Sequence, residues 1–227
     1  MYKALFFDVD DTLLNFEQCS REALGKTFRH FSMDYDDTVY ELFRSIDQRL
    51  WLQQKQGELT VQDVINLRFQ ELFKQLQLGC SHIPLQTMFQ ERLAEEFFTE
   101  PHAAESLGYL SARYQLFVTS NGILKTQLKR LELAGLLPYF TDVFVSDHIG
   151  HEKPSVRFFE ECLQRSRLKP SEVLLIGDSL EADMVGAQNS KMDSCWYNPK
   201  HRNTDSDVEI DYIISDLLQL KDILQVI

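Results

Sequence analysis

The chain has 227 residues and a formal net charge of −12, with 44% hydrophobic and 26% charged residues. The composition is that of a globular protein, and the length allows one large domain or a core domain with an insertion. The acidic charge opposes binding to nucleic acid polymers and membrane surfaces, and every apolar run is too short to span a bilayer. The four scattered cysteines form no CxxC pair, which predicts reduced thiols in a cytoplasmic protein.

The first predicted element is a buried strand, "KALFFDV", which runs into the acidic stretch "DVDDT". Asp8, Asp10 and Asp11 place three like charges within four positions, where desolvation and mutual repulsion are costly. We therefore expect a metal ion or a cationic side chain to hold this cluster.

The stretch from Glu17 to about Phe98 has no strand signal and predicts helices. In its clearest piece, "TVQDVINLRFQELFKQLQL", Thr60 can cap the helix and Asp63 can complete a capping box. We predict a helical cap over 17–98, inserted into a catalytic core formed by 1–16 and 99–227. Ligands bind at the carboxyl ends of strands in doubly wound sheets, so the cap should cover the site.

Five further apolar runs of strand length follow, and helical segments separate most of them. They are "YQLFVTS" (114–120), "DVFVS" (142–146), "EVLLIGD" (172–178), "SCWYN" (194–198) and "YIIS" (212–215). Nearly continuous apolar runs are typical of parallel strands buried on both faces. The helix "ILKTQLKRLELAGL" groups Leu124, Leu128 and Leu131, with Gly135 as its cap. The pattern predicts an α/β fold: a doubly wound, Rossmann-like parallel sheet with an inserted α-helical cap subdomain.

Polar residues gather at the carboxyl ends of these strands. They are Asp8–Thr12, Ser120-Asn121-Gly122, Lys153-Pro154, and Gly177-Asp178-Ser179 with Asp183. Each fragment alone is common in turns and helix starts, but the ordered set is far more specific. Along an extended chain, Asp8 and Asp10 can offer one side chain and one carbonyl to a metal, and Asp178 adds a carboxylate. A few oxygen ligands, with waters completing the shell, suit Mg²⁺.

The same strand ends provide groups for an anionic ligand. Lys153 supplies the fixed positive charge that an acidic protein needs, and Ser120 supplies a hydroxyl. The backbone of Asn121 and Gly122 supplies N–H donors for a phosphate. The sequence therefore predicts a site for a small phosphorylated metabolite.

The motifs DVDDT, the strand ending in Ser120, Lys153-Pro154 and GDSLEAD resemble those of haloacid dehalogenase superfamily phosphatases, in order and over nearly the whole chain. The insertion resembles the helical cap of the subclass whose cap follows the first motif. The stretches "RLWLQQKQGELTVQDVINLRFQ", "VTSNG" and "SCWYNPKHR" are most similar to the pyrimidine 5′-nucleotidase branch.

The resemblance implies a role for each catalytic residue. Asp8 is the nucleophile that forms an aspartyl-phosphate. Asp10 is the general acid toward the leaving group and then the general base for water, and its carbonyl meets the metal. Ser120 and Lys153 hold the transferring phosphoryl group.

The remaining motif residues have supporting roles under the same resemblance. Asp178 binds Mg²⁺, Thr12 fixes the Asp10 loop, and Asp183 braces the metal loop. Asp11 stands where Gly is frequent in related motifs, so we assign it no catalytic role and expect it to face solvent or brace a loop.

We expect a Mg²⁺-dependent phosphatase for nucleoside 5′-monophosphates. The alternatives are a phosphatase for sugar phosphates or phosphoglycolate and a phosphosugar mutase, which keeps all four motifs. A dehalogenase has no use for an acid at Asp10. A receiver-like signalling module has its phosphorylated Asp on a later strand and lacks a helical insertion.

Three other features have ordinary structural interpretations that we prefer. Trp51, beside Arg49, could contact a leaving group, but a tryptophan here is more often cap core. His148 and His151 are typical of a surface loop. The basic stretch "NPKHRN" at 198–203 is a solvated turn or shapes the entrance.

Overall fold

The computed structural model describes residues 1–203 and 207–225, and its centre is a sheet of six parallel strands. The strands are β1 (Ala4–Phe7), β2 (Gln115–Ser120), β3 (Asp142–Val145), β4 (Val173–Gly177), β5 (Asp193–Tyr197) and β6 (Tyr212–Ile214). Their order is β3-β2-β1-β4-β5-β6, and every neighbouring pair is parallel. The predicted doubly wound α/β fold is confirmed, with β1 between β2 and β4 at the point where the strand order reverses.

The helices follow the predicted alternation. Those of the insertion are α1 (Phe16–His30), α2 (Asp37–Lys55), α3 (Val61–Gln75) and α4 (Ile83–Leu93). Those around the sheet are α5 (Ala103–Leu110), α6 (Leu124–Leu133), α7 (Ser146–Ile149), α8 (Val156–Ser166), α9 (Val185–Asn189) and α10 (Leu220–Gln225). None of the helices in the described ranges has both the length and the apolarity to cross a membrane.

Strand β1 is apolar throughout because both faces of the sheet are covered. Leu5 and Phe7 pack into one apolar cluster with residues of α5 and α10. Ala4 and Phe6 point the other way, into a second cluster that α8 helps to form. Successive side chains of a strand alternate between faces, so burial on both sides requires a continuous apolar run.

The inserted helices have an apolar cluster of their own. Phe43, Phe69 and Phe89 of α2, α3 and α4 pack with ring centroids 5.3–5.7 Å apart. Thr60 caps α3 and Asp63 completes the capping box, as predicted. The division into a core (1–16 and 99–227) and a cap (17–98) remains a prediction about domain boundaries.

The two chain segments that lead into and out of the insertion run side by side. Leu14 and Thr99 form an antiparallel β-bridge. The N–H of Asn15 donates to the carbonyl of Phe98 at 2.8 Å, and the N–H of Glu100 donates to that of Leu13 at 2.9 Å. The insertion therefore leaves and rejoins the core at one place, directly after the acidic stretch.

Helix α6 differs from the expected leucine-faced helix. Its buried residues are Thr126, Gln127, Arg130 and Leu131, whereas Leu124 and Leu128 are only half-buried. Gly135, just beyond the helix, has the positive φ (+69°) of a C-terminal glycine. The inner face is polar because Gln127 and Arg130 have hydrogen-bonding partners at the neighbouring strand ends.

Candidate active site

A cleft of about 400 Å³ lies between the carboxyl edge of the sheet and the inserted helices. Asp8 follows β1, Ser120 ends β2, Asp178 follows β4, and Lys153 lies in the loop between α7 and α8. The predicted residues Asp8, Asp10, Ser120, Asn121, Lys153, Asp178 and Asp183 all line this cleft. Thr12 is fully buried just behind it.

The ammonium of Lys153 is a buried cation at the centre of the site. Its Nζ donates to Asp8 Oδ1 at 2.7 Å, to Asp183 Oδ1 at 2.7 Å and to the carbonyl of Thr119 at 2.9 Å. The residue is only 2% exposed. Burial disfavours the ammonium, but the carboxylates of Asp183 and Asp8 outweigh burial and raise the pKa of Lys153. Lys153 therefore stays charged beside Asp8.

Asp8 is buried and held at both oxygens. The Thr12 hydroxyl donates to Oδ2 at 3.3 Å, while Lys153 occupies Oδ1. Thr12 thus contacts Asp8 itself, whereas it was expected to fix the Asp10 loop. Burial raises the pKa of Asp8 to about 7, against the opposing charge of Lys153. The single ammonium does not fully offset the desolvation of this carboxylate.

Three carboxylates, two that directly follow strands and one in the helical turn after β4, could hold a metal ion. Asp8, Asp178 and Asp183 each offer an oxygen within 4.8 Å of the others. Burial, followed by the charges of Asp8, Asp11 and Asp183, raises the pKa of Asp178 well above its usual range. An all-oxygen donor set with excess negative charge fits a hard divalent cation such as Mg²⁺.

Asp183 is the most constrained of the three. Its Oδ1 accepts from Lys153, and its Oδ2 accepts from the N–H of Ser179 at 3.2 Å. Its carboxylate lies directly over Gly177, where an added Cβ would come within 2.3 Å of Oδ2. Only glycine fits at this strand end. These contacts hold the Asp183 carboxylate in place, and its bracing of the metal loop stays a prediction.

Two residues of α6 that sequence reasoning missed hold the side chain of Asp10. Arg130 NH1 donates to Oδ1 at 2.6 Å, and Gln127 Nε2 donates to Oδ2 at 2.7 Å. Gln127 Nε2 also lies 3.0 Å from Ser120 Oγ. Their spacing of three residues puts both on one helix face, a signal that the leucine pattern concealed.

Asn121 holds the Lys153 loop through its side chain. Its Nδ2 donates to the Lys153 carbonyl at 2.9 Å, and its Oδ1 accepts from the Lys153 N–H at 2.8 Å. The N–H of Gly122, expected to face a phosphate, instead donates to Ser146 Oγ at 3.2 Å. Gly122 therefore drops out of the predicted phosphate-binding residues, and Ser120, Asn121 and Lys153 remain.

Asp11 braces the start of the insertion, one of the two outcomes expected for it. Its Oδ1 accepts from the N–H of Phe16 at 2.9 Å, and Arg44 lies 3.8 Å from its Oδ2. Its φ of +61° is a conformation that Asp tolerates better than most residues, although glycine fits it more easily.

The insertion side of the cleft includes aromatic and cationic side chains together with the acidic side chain of Asp47. Trp51 lines the cleft while packing against the edge of the insertion's apolar cluster. Arg44 and Lys55 of α2 line it too, whereas Arg49 pairs with Glu71. The residues described as lining the cleft do not include His148 or His151.

The basic loop after β5 reaches the cleft through Arg202. Its NH2 group donates to the carbonyl of Asp178 at 2.8 Å and lies 3.4 Å from Asp178 Oδ2. Arg44 and Lys55 add positive charge that the sequence did not predict, whereas Arg202 belongs to the basic stretch 198–203 that was expected to be a solvated turn or to shape the entrance. Each of these three cations lies near a carboxylate of the cleft, Arg44 near Asp11, Lys55 near Glu181 and Arg202 near Asp178. Carboxylates still outnumber cations among the lining residues, so an anionic ligand needs a divalent cation as well.

Comparison with known proteins gives a family match and several relatives. The family described as haloacid dehalogenase-like hydrolase matches residues 5–197. The chain is 32% identical to the HAD-hydrolase YfnB of Bacillus subtilis (strain 168), over 99% of this chain and 96% of YfnB. A crystal structure of YfnB bound to magnesium superposes with a TM-score of 0.93 over 98% of both chains.

Two further relatives are named for two different substrates. The pyrimidine 5′-nucleotidase PynA of Streptococcus pneumoniae is 31% identical, over 98% of this chain and 95% of PynA. The glyceraldehyde 3-phosphate phosphatase of Methanothermobacter thermautotrophicus is 30% identical, over 99% of this chain and 100% of that protein.

Proposed function

Because the chain belongs to the haloacid dehalogenase-like hydrolase family, we propose that it is a Mg²⁺-dependent phosphomonoester hydrolase acting through an aspartyl-phosphate. The observation that carries this proposal is the buried cluster in which Lys153 Nζ lies 2.7 Å from both Asp8 Oδ1 and Asp183 Oδ1. This cluster stands at the carboxyl edge of the sheet, beside Asp178, and Asp10 follows Asp8 by two residues.

The proposed reaction has two steps, formation of the aspartyl-phosphate and its hydrolysis. An Asp8 carboxylate oxygen attacks phosphorus, the ester P–O bond breaks, and Asp10 gives a proton to the leaving oxygen. Water then attacks the phosphorus of the aspartyl-phosphate, its proton passes to Asp10, and the bond to Asp8 breaks to release phosphate. Lys153 and Ser120 hold the phosphoryl oxygens throughout.

The carboxylates of Asp8 and Asp178, with the carbonyl of Asp10, would hold Mg²⁺. When bound, Mg²⁺ offsets the negative charge of the phosphoryl group and of the carboxylates. Removal of divalent cations by EDTA is expected to abolish activity, since the cluster then repels an anionic substrate. Mg²⁺ should restore turnover better than Ca²⁺, which is larger and favours higher coordination numbers.

The metal prediction is checked by assaying chelated, desalted enzyme before and after each cation is added back. Full activity in the metal-free enzyme would contradict it. Equal rescue by the two cations would show that coordination geometry is unimportant here.

For the substrate, we propose a nucleoside 5′-monophosphate with a pyrimidine base. The similarity to PynA and the aromatic face of Trp51 in the cleft support this class. A sugar phosphate is the second candidate, supported by the similarity to glyceraldehyde 3-phosphate phosphatase. A panel of UMP, dUMP, dTMP, hexose phosphates, glyceraldehyde 3-phosphate and phosphoglycolate distinguishes them. A tenfold preference for any sugar phosphate or for phosphoglycolate over every nucleotide overturns the nucleotidase proposal and leaves the phosphatase proposal standing.

Replacing Trp51 by alanine tests recognition of the leaving group. Stacking of a base on an aromatic ring contributes about 1–3 kcal/mol, so Trp51→Ala should lower kcat/KM for UMP by about 5- to 150-fold. The loss on p-nitrophenyl phosphate should be much smaller, because its ring is bonded directly to the phosphate oxygen, whereas a nucleotide carries its base on the far side of a ribose. Trp51→Phe is the matched control, since it keeps an aromatic face. Equal losses on both substrates would mean that Trp51 acts only in packing.

A further inference from the structure

Arg130 is a buried arginine whose partners belong to three different parts of the chain. Its NH1 donates to Asp10 Oδ1 at 2.6 Å and to Gln127 Oε1 at 3.0 Å. Its Nε donates to the carbonyl of Glu96 at 3.2 Å. The Arg130 side chain is 1% exposed, whereas that of Asp10 is 29% exposed. An arginine buried this deeply can adopt few other conformations.

Gln127 completes the support of Asp10. Because its Oε1 accepts from Arg130, its Nε2 is directed at Asp10 Oδ2, 2.7 Å away. Both carboxylate oxygens of Asp10 are therefore held by side chains of α6. The two donors fix the plane of the carboxylate as well as its position, which one hydrogen bond could not do.

The third contact fixes Arg130 itself. Glu96 lies in the segment that returns from α4 to the core, and its own carboxylate pairs with Lys26 of α1. The carbonyl of Glu96 thus holds the Nε end of the guanidinium while NH1 meets Asp10. The guanidinium is anchored at one end by the insertion's return segment and at the other by the Asp8–Thr12 loop.

We propose that Arg130, supported by Gln127, is a positioning residue that aims the carboxyl group of Asp10, in the protonated form that acts as the acid, at the leaving oxygen. The inference rests on the proposed function, in which Asp10 transfers the proton. The hydrogen bonds alone leave one competing interpretation, that Arg130 only joins α6 to the return segment. The two interpretations predict different responses to the leaving group.

The choice of leaving group distinguishes a positioning role from a purely structural role of Arg130, because only some esters need a proton from the enzyme. The 5′-oxygen of a nucleotide leaves as a poor alkoxide unless it is protonated, whereas p-nitrophenolate is a stable anion that leaves unaided. Since kcat/KM reports formation of the aspartyl-phosphate, it isolates this step from the later attack of water. A misaimed Asp10 should therefore harm the nucleotide and spare the aryl ester.

The experiment compares kcat/KM for UMP and for p-nitrophenyl phosphate in Arg130→Met. General acid catalysis contributes about 10²–10⁴-fold, so we expect a loss of about 100-fold on UMP and less than about fivefold on p-nitrophenyl phosphate. Lys129→Met is the matched control, because Lys129 is the neighbouring exposed residue of α6 and should leave both values unchanged. Equal losses on both esters would overturn the proposal.

A double-mutant cycle provides the second readout. If Arg130 acts through Asp10, adding Arg130→Met to Asp10→Asn should change kcat/KM for UMP by less than about threefold. Losses that multiply would show an independent structural role and overturn the proposal. Circular dichroism and thermal melting verify folding of each variant. If Arg130→Met does not fold, Arg130→Lys takes its place, because lysine keeps the positive charge but cannot also donate to the carbonyl of Glu96. The same two esters are then compared in Arg130→Lys.

Failure of the proposed function has a different signature. If Asp10→Asn itself shows no selective loss on UMP, Asp10 is not the general acid, whatever Arg130→Met does. If Asp10→Asn is selective and Arg130→Met is not, only the positioning role is wrong.

Discussion

Asp8→Asn is expected to abolish turnover and leave the protein folded. Asparagine has the size and shape of aspartate, and its Oδ1 can still accept from Lys153 Nζ, which lies 2.7 Å from Asp8 Oδ1 in the native protein. The amide has no negative charge and is a poor nucleophile, so formation of the aspartyl-phosphate should stop. We expect kcat to fall by at least about 10⁴-fold, as for other lost nucleophiles.

The measurement pairs steady-state kinetics with thermal melting. Asp142→Asn is the matched control, because Asp142 is an exposed carboxylate at the opposite, amino-terminal end of β3. The native enzyme with Mg²⁺ should also bind beryllofluoride at Asp8, since this complex mimics a phosphoryl group on a carboxylate, and Asp8→Asn should not. Near-normal activity in Asp8→Asn would refute the aspartyl-phosphate mechanism.

Lys153→Ala should produce the second large loss. The substitution removes the cation that contacts Asp8 and Asp183, so the phosphate would meet a cluster of uncompensated carboxylates. Comparison with other electrostatic stabilisers predicts a loss in kcat/KM of about 3 kcal/mol or more. Stability should fall as well, since removing one partner of a buried ion pair costs about 3–5 kcal/mol.

Because part of the loss in Lys153→Ala could come from unfolding, activity must be measured well below the melting temperature of the variant. Lys191→Ala, an exposed lysine after α9, provides the control for a change in net charge. A loss of less than tenfold in folded Lys153→Ala would mean that Lys153 does not offset charge during phosphoryl transfer.

The fold could be predicted because its signals are local. Strand β1 reads as a continuous apolar run since Leu5 and Phe7 cover one face of the sheet and Phe6 covers the other. The strand-end motifs were predictable for a related reason. Parallel strands bring their carboxyl ends to one edge, so Asp8, Ser120 and Asp178 are expected to meet. The placement of Lys153 at a strand end was wrong, because β3 ends at Val145 and Lys153 lies in the loop after α7.

The parts of the site that escaped prediction depend on distant partners. Arg130 and Asp10 are 120 positions apart, and nothing near Arg130 in the sequence marks it as the partner of a carboxylate. The three leucines of α6 suggested an ordinary amphipathic helix. Likewise, Arg44 reaches the cleft only because of the way the insertion is packed.

The paired segments at the base of the insertion also bear on how this enzyme could diversify. With Leu14 and Thr99 bridged, the core brings together both ends of whatever lies between Asn15 and Phe98. The entropy of closing a loop grows only logarithmically, so doubling the loop length costs about 0.6 kcal/mol. Evolution could therefore lengthen, shorten or exchange this segment at small cost to folding, and change the selected substrate while the strand-end chemistry stays untouched.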